Sequence, residues 1–246
     1  MDEGAFYDQI GAVNGWDFSR MECSVEGAAW DFYSEAAERS AAGSVLLDIG
    51  TGGGEQVLST ADRFAFIVGI DSSGPMVETA NANRQRVARE NVCFLQMEAE
   101  RLEFPTAFFD TVTSRHCPFN AHEVARVLRP GGIFLTQQVG ETDKANLKTA
   151  FGRGQAFGER DGSLLTQCRR EMEAAAFDRI ECFEYDAQEY YRRPEDLLFL
   201  LRHTPIIPDF GQYPEDREAF NRFIRKNRTP KGIRTNSRRF LLIAHK

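Results

Sequence analysis

The sequence predicts an α/β fold: a mostly parallel sheet with helices on both faces and helical additions around it. Three observations lead there. Val45 to Ile49 is a nearly continuous apolar run, as a strand buried on both faces requires. Gly50, Gly52, Gly53 and Gly54 follow at once, so the backbone can turn sharply and approach a ligand where a Cβ would collide. A short helix over 55–61, a second apolar strand over 64–70 and Asp71 at its end complete a strand–turn–helix–strand unit.

That unit suits a ligand containing a nucleoside. Amides at the start of the helix can meet a polar group, and the Asp71 carboxylate can take both hydroxyls of a ribose. The dinucleotide fingerprint GxGxxG is absent; four glycines fall within five positions, with Asp48 before them and Glu55 after. An acid facing the turn would repel a pyrophosphate and suit a positively charged cofactor. In LLDIGTGGG the chain resembles the class I S-adenosylmethionine-dependent methyltransferases. The resemblance covers about residues 44–138 and the final strand. It implies a three-layer α/β/α Rossmann-like fold with a mostly parallel seven-stranded sheet and an antiparallel last strand. It also implies S-adenosylmethionine as cofactor and an enzyme that transfers its methyl group.

The resemblance assigns the cofactor contacts. Gly50 and Gly52 pass the methionine moiety over bare backbone, and Asp71 takes the ribose. Ser72 or Ser73 caps the next helix, over 75–90, where Pro75 lies in the first turn and Met76 is a candidate to pack on adenine, or equally a core methionine. A third strand over 91–95 leads to Glu98, where many relatives carry Asp, and to Ala99, which leaves room for the ring. Ser114 ends the fourth strand, over 110–114, and belongs to the same set. The following SRHCPFN lies at the methyl-transfer position of this fold, outside the strand ends where strand order reverses. HCPF replaces the NPPY and DPPY motifs of related N-methyltransferases, which argues against adenine or glutamine amino groups as acceptors. His116 is the candidate catalytic base, or else orders the loop by hydrogen bonds. RVLRPGG then ends a helix over 119–128 and opens strand five, whose Gln137 and Gln138 can line a substrate cavity.

The remainder divides around this core. Residues 1–40 read as a helical cap, with Tyr7 and Trp16 as candidate lid aromatics. Residues 41–186 form the core, including an irregular lid-like stretch over 139–160, a helix over 164–175 and a strand over 179–185. Residues 187–236 form a helical insertion, where Tyr190, Tyr191, Arg202 and His203 are candidates to contact substrate, and residues 237–246 close the sheet.

Composition narrows the function classes. The chain has 246 residues and a net charge of −7, which argues mildly against nucleic acid as a partner. Charge is uneven: residues 1–38 hold nine acids and one base, whereas residues 217–239 hold nine bases and one acid. Two oppositely charged surfaces meeting, or a basic rim steering an anionic substrate, both account for this. The five cysteines are scattered without a CxxC pair, so no metal site is expected. No apolar run reaches the length of a membrane span, and the acidic start is unlike a signal peptide; a cytoplasmic location with no membrane partner is expected. No heptad pattern appears, so a monomer or weak homodimer is expected. The expected acceptor is a small molecule, possibly anionic. The alternatives are an RNA base, served by the basic stretch, or a protein that binds the cofactor without turnover.

Overall fold

A computed structural model describes Phe18 and residues 21–246; Tyr7 and Trp16 lie outside the described residues. The sheet is built from β1 (Cys23–Glu26), β2 (Val45–Ile49), β3 (Phe66–Asp71), β4 (Val92–Gln96), β5 (Phe109–Arg115), β6 (Leu128–Val139), β7 (Arg179–Tyr191), β8 (Arg228–Thr229) and β9 (Gly232–His245). The spatial order is β1-β7-β9-β6-β5-β2-β3-β4, with β8 paired to β9. Pairs among β2 to β6 are parallel. The last strand, β9, inserts antiparallel between β6 and β7. Seven strands therefore reproduce the expected sheet, and β1 and β8 extend it.

Alternation along the strands makes the layers. On one face Leu46, Ile67, Leu135 and Ile243 pack against α1 (Phe32–Arg39), α2 (Glu55–Leu58) and α3 (Gly74–Arg86). On the other, Leu47, Val112, Phe134 and Leu242 pack against α4 (Ala121–Val127) and α6 (Ser163–Ala174). A third cluster joins α5 (Ala145–Phe151), α7 (Pro194–His203) and α8 (Asp216–Asn227) through Leu147, Leu197, Leu201, Phe220 and Phe223.

The structure corrects the reading of the N-terminal cap as wholly helical. Cys23–Glu26 is a strand that pairs antiparallel with residues 188–191, and its side chains are mostly exposed. Main-chain pairing rather than a buried face holds it, so it left no apolar period in the sequence. The insertion is also shorter than expected. β7 continues to Tyr191 and β9 begins at Gly232, leaving residues 192–231 between them.

Candidate functional site

The site grows from the turn after β2. Gly50 and Thr51 both donate their amides to the Ile70 carbonyl, which ties the turn to the end of β3. Gly50 has φ +72°, and a Cβ there would lie 2.4 Å from the Cys117 Cβ. Gly54 has φ +73°, and a Cβ there would meet the Phe94 ring at 2.5 Å. The two glycines are thus required by close packing as well as by backbone conformation.

Asp71 ends β3. One of its carboxylate oxygens accepts from the Gly52 amide at 2.9 Å, the other from the Ser73 amide at 3.0 Å. A carboxylate has about four acceptor positions, so these bonds fix its orientation and are compatible with ribose hydroxyls. Ser73, not Ser72, caps α3 by accepting from the Met76 amide. Ser72 is exposed, and its carbonyl accepts from Gln96. Met76, in the first turn of α3, is buried at 2% exposure. Beyond β4 the Met97 amide donates to the Asp71 carbonyl, which brings the next residues alongside. There Glu98 is exposed and Ala99 is buried.

Asp48 is fully buried at the end of β2, beside the hydroxyls of Tyr33 on α1, Thr113 on β5 and Thr51 in the turn. It accepts from Thr113 Oγ1 at 2.7 Å and from the Tyr33 hydroxyl at 3.3 Å. Burial pushes its pKa up to about 6; the Thr113, Thr51 and Tyr33 hydroxyls and the Arg115 charge pull the other way.

The loop after β5 carries the other half. Ser114 is buried and donates to the Cys117 carbonyl, which also accepts from Gln138. His116 has φ +57°, an unusual conformation for a side-chain-bearing residue. Its amide donates to the Gln137 carbonyl at 2.8 Å, and its Nε2 lies 3.0 Å from Gln137 Nε2. Trp30 Nε1 lies 2.7 Å from Gln137 Oε1. Indole N–H only donates, so it assigns the Gln137 oxygen to Trp30 and the amide group to His116. The His116 Nε2 is therefore an acceptor, and the imidazole is neutral. Burial, then the Arg239, Arg115 and Lys144 charges, hold its pKa well below the usual imidazole value. A ring whose Nε2 lone pair is already engaged orders this loop and is poorly placed to take a proton through that atom.

His116 opens onto a cavity of about 230 Å³ lined also by Gln138, Glu141, Lys148, Gln155 and Glu159. Behind it lies an ionic cluster that the sequence did not single out. Lys144, 2% exposed, sits 2.9 Å from Glu189 and 3.5 Å from Asp143, and Arg239 bonds Asp143 at 2.5 Å. Burial raises the Asp143 carboxyl, but Lys144 and Arg239 outweigh it and leave the group below its ordinary value. The Tyr191 hydroxyl donates to Glu189, so Tyr191 belongs to this buried cluster. Tyr190 packs under the Lys231 ammonium and His203 stacks on Phe199, while Arg202 is exposed. None of these four candidates lines the His116 cavity.

Known proteins are similar to this chain. A methyltransferase-domain family profile matches residues 47–136. The methyltransferase YcgJ of Bacillus subtilis is 38% identical over 97 residues, which cover 37% of this chain and 38% of that protein. A fatty-acid O-methyltransferase of Mycolicibacterium smegmatis is 36% identical over 113 residues, covering 42% of this chain and 40% of that protein. These matches thus span about two fifths of the curated relatives' lengths. The crystal structure of YcgJ superposes with a TM-score of 0.57 at 21% identity, covering 87% of this chain and 95% of that one. The glycine turn and the Asp71 strand end thus lie in a stretch, residues 47–136, that is similar to the methyltransferase domain, and the fold around them is that of Rossmann-like methyltransferases.

Proposed function

We propose that the protein transfers the methyl group of S-adenosylmethionine to a small molecule held in the His116 cavity. The observation that carries this reading is the juxtaposition of two half-sites. Cys117 packs against the Gly50 turn, while its neighbour His116 lines the cavity. The residues suit the cofactor: Asp71 is oriented by Gly52 and Ser73, four of the five residues at positions 50–54 are glycines, and acids rather than bases flank them. Gly50, Gly52 and Asp71 would hold it, with Ser72, Met76, Glu98, Ala99 and Ser114 around them. When bound, the sulfonium supplies an already activated methyl group. The chain's own task is then alignment and exclusion of water rather than strong base catalysis. Gln137 keeps His116 neutral and its loop fixed, and Ser114 and Gln138 hold the Cys117 carbonyl from two sides. The named relative acting on fatty acids supports an oxygen of a small acid as one acceptor to try.

One observation favours RNA as a second reading. Arg217, Arg225, Lys226, Arg228 and Arg234 are exposed and have no acidic partner among the described residues. Incubation with S-adenosylmethionine labelled in the methyl group separates the two. Label recovered in small carboxylic or hydroxylated compounds supports the first reading, and label in RNA would replace it with the second.

A further inference from the structure

We infer that Lys148 makes the inner end of the cavity an oxyanion pocket, which receives a carboxylate or phosphate group of the methyl acceptor. The inference rests on the methyltransferase reading and specifies its substrate class. Lys148 lies on α5 and is 3% exposed, yet it lines the cavity. Its ammonium donates to the Glu141 carbonyl at 3.1 Å and makes no ion pair among the described residues. Lysine has three donors, and two have no partner among the described residues. Burial, with the Lys144 and Arg239 charges, outweighs the attraction of the Asp143 and Glu141 carboxylates from beyond ion-pair distance and lowers the pKa of this ammonium; both carboxylates are bonded elsewhere. The Glu141 carboxylate accepts from the Gly162 and Leu164 amides at the start of α6, and Asp143 is held by Arg239 and Lys144. Glu159 lines the cavity but is exposed at its rim.

The surroundings are shaped to keep this cation in place. Gly154 lies across the lysine stem, where a Cβ would come within 2.5 Å of Lys148 Cγ. The next residue, Gln155, is tied through its amide to the Ile206 carbonyl. Arg115 adds positive charge on the His116 side, where Lys144 and Arg239 are balanced by Glu189 and Asp143. The volume of about 230 Å³ falls below the ~300–1,000 Å³ of pockets that enclose a whole drug-sized ligand. It fits a compact headgroup, with the rest of the acceptor extending outward.

Calorimetric titration with octanoate, octyl phosphate and octanol tests this, in the presence of S-adenosylhomocysteine. Wild-type protein should bind octanoate or octyl phosphate and not octanol; which of the two is tighter identifies carboxylate or phosphate as the headgroup. Lys148→Met keeps the stem and removes the charge, and should weaken that binding by about tenfold or more. The melting temperature and S-adenosylhomocysteine affinity of the variant should match wild type, which separates lost recognition from lost folding. Equal oxyanion binding by the variant, equal binding of octanol, or no oxyanion binding by wild type overturns the inference. Failure of wild type to bind S-adenosylhomocysteine would instead overturn the methyltransferase reading beneath it.

Discussion

Asp48, near the end of β2, and Gly50, just beyond it, meet opposite demands. A methyl group at position 50 would clash with Cys117 and force a side-chain-bearing residue to φ +72°. Gly50→Ala should therefore cost about 1–3 kcal/mol in urea unfolding, and an unchanged midpoint would refute the packing argument. Asp48 carries a raised folded pKa of about 6 against an ordinary value of 3.8. A carboxyl that holds its proton more tightly when folded favours the native state most below the unfolded pKa. That contribution declines as pH rises from about 4 to about 6 and is constant above. Asp48→Asn should thus gain stability relative to wild type across that window, by up to about 3 kcal/mol; parallel curves with pH would exclude the assignment. The glycines, Asp71 and His116 were legible in the sequence because local spacing alone brings them to strand ends. Lys144, Lys148 and Asp143 were not. ETDKANLK falls within the irregular lid-like stretch, and only Glu189 and Arg239, far along the chain, show that these charges are buried.

Elements are positioned by caps that come from outside them. α6 begins after Gly162, which offers no side-chain cap, and the Glu141 carboxylate supplies one through bonds of 2.9 and 2.6 Å. Glu141→Ala should cost about 1–2 kcal/mol and speed amide exchange at the start of α6. Unaltered exchange there would show that the cap is dispensable. A second clasp links the helical insertion to the segment after α5. Arg153 pairs at 2.9 Å with Asp216, itself 2% exposed, and donates to the Pro208 carbonyl. Loss of the arginine leaves a carboxylate buried and unpaired, so Arg153→Ala should accelerate proteolysis of residues 204–215. Cleavage at the wild-type rate would place the insertion's stability elsewhere. The core strands were readable from their apolar runs, and α3 from Ser73 and Pro75. β1 was not, since its pairing partner lies at the far end of β7. Gly232 to Asn236 was read as part of a helical insertion because its strand character comes from pairing with β7 and β8.

At the scale of the molecule, the charge asymmetry partly resolves into contacts between ends of the sheet. Glu26 of β1 pairs with Lys231 before β9, and Glu22 with Arg192. Such exposed pairs contribute about 0–1 kcal/mol each, so they orient the edge more than they stabilise it. Arg239 turns inward to Asp143, which removes one of the nine bases from the external surface, while Arg238 pairs with the exposed Glu184. Described helices include none long and apolar enough to cross a membrane. The sheet order, with β9 antiparallel between β6 and β7, places the glycine turn, the Asp71 strand end and the His116 loop along one edge of the parallel strands. That convergence is what the methyltransferase reading depends on. Calorimetric titration with S-adenosylhomocysteine, for wild type and Asp71→Ala, measures it most directly. Saturable binding by wild type, weakened about ten- to a hundredfold in the variant, is the outcome expected of a ribose held by Asp71. Folded wild-type protein that binds neither S-adenosylhomocysteine nor S-adenosylmethionine, or equal affinity in the variant, would contradict it.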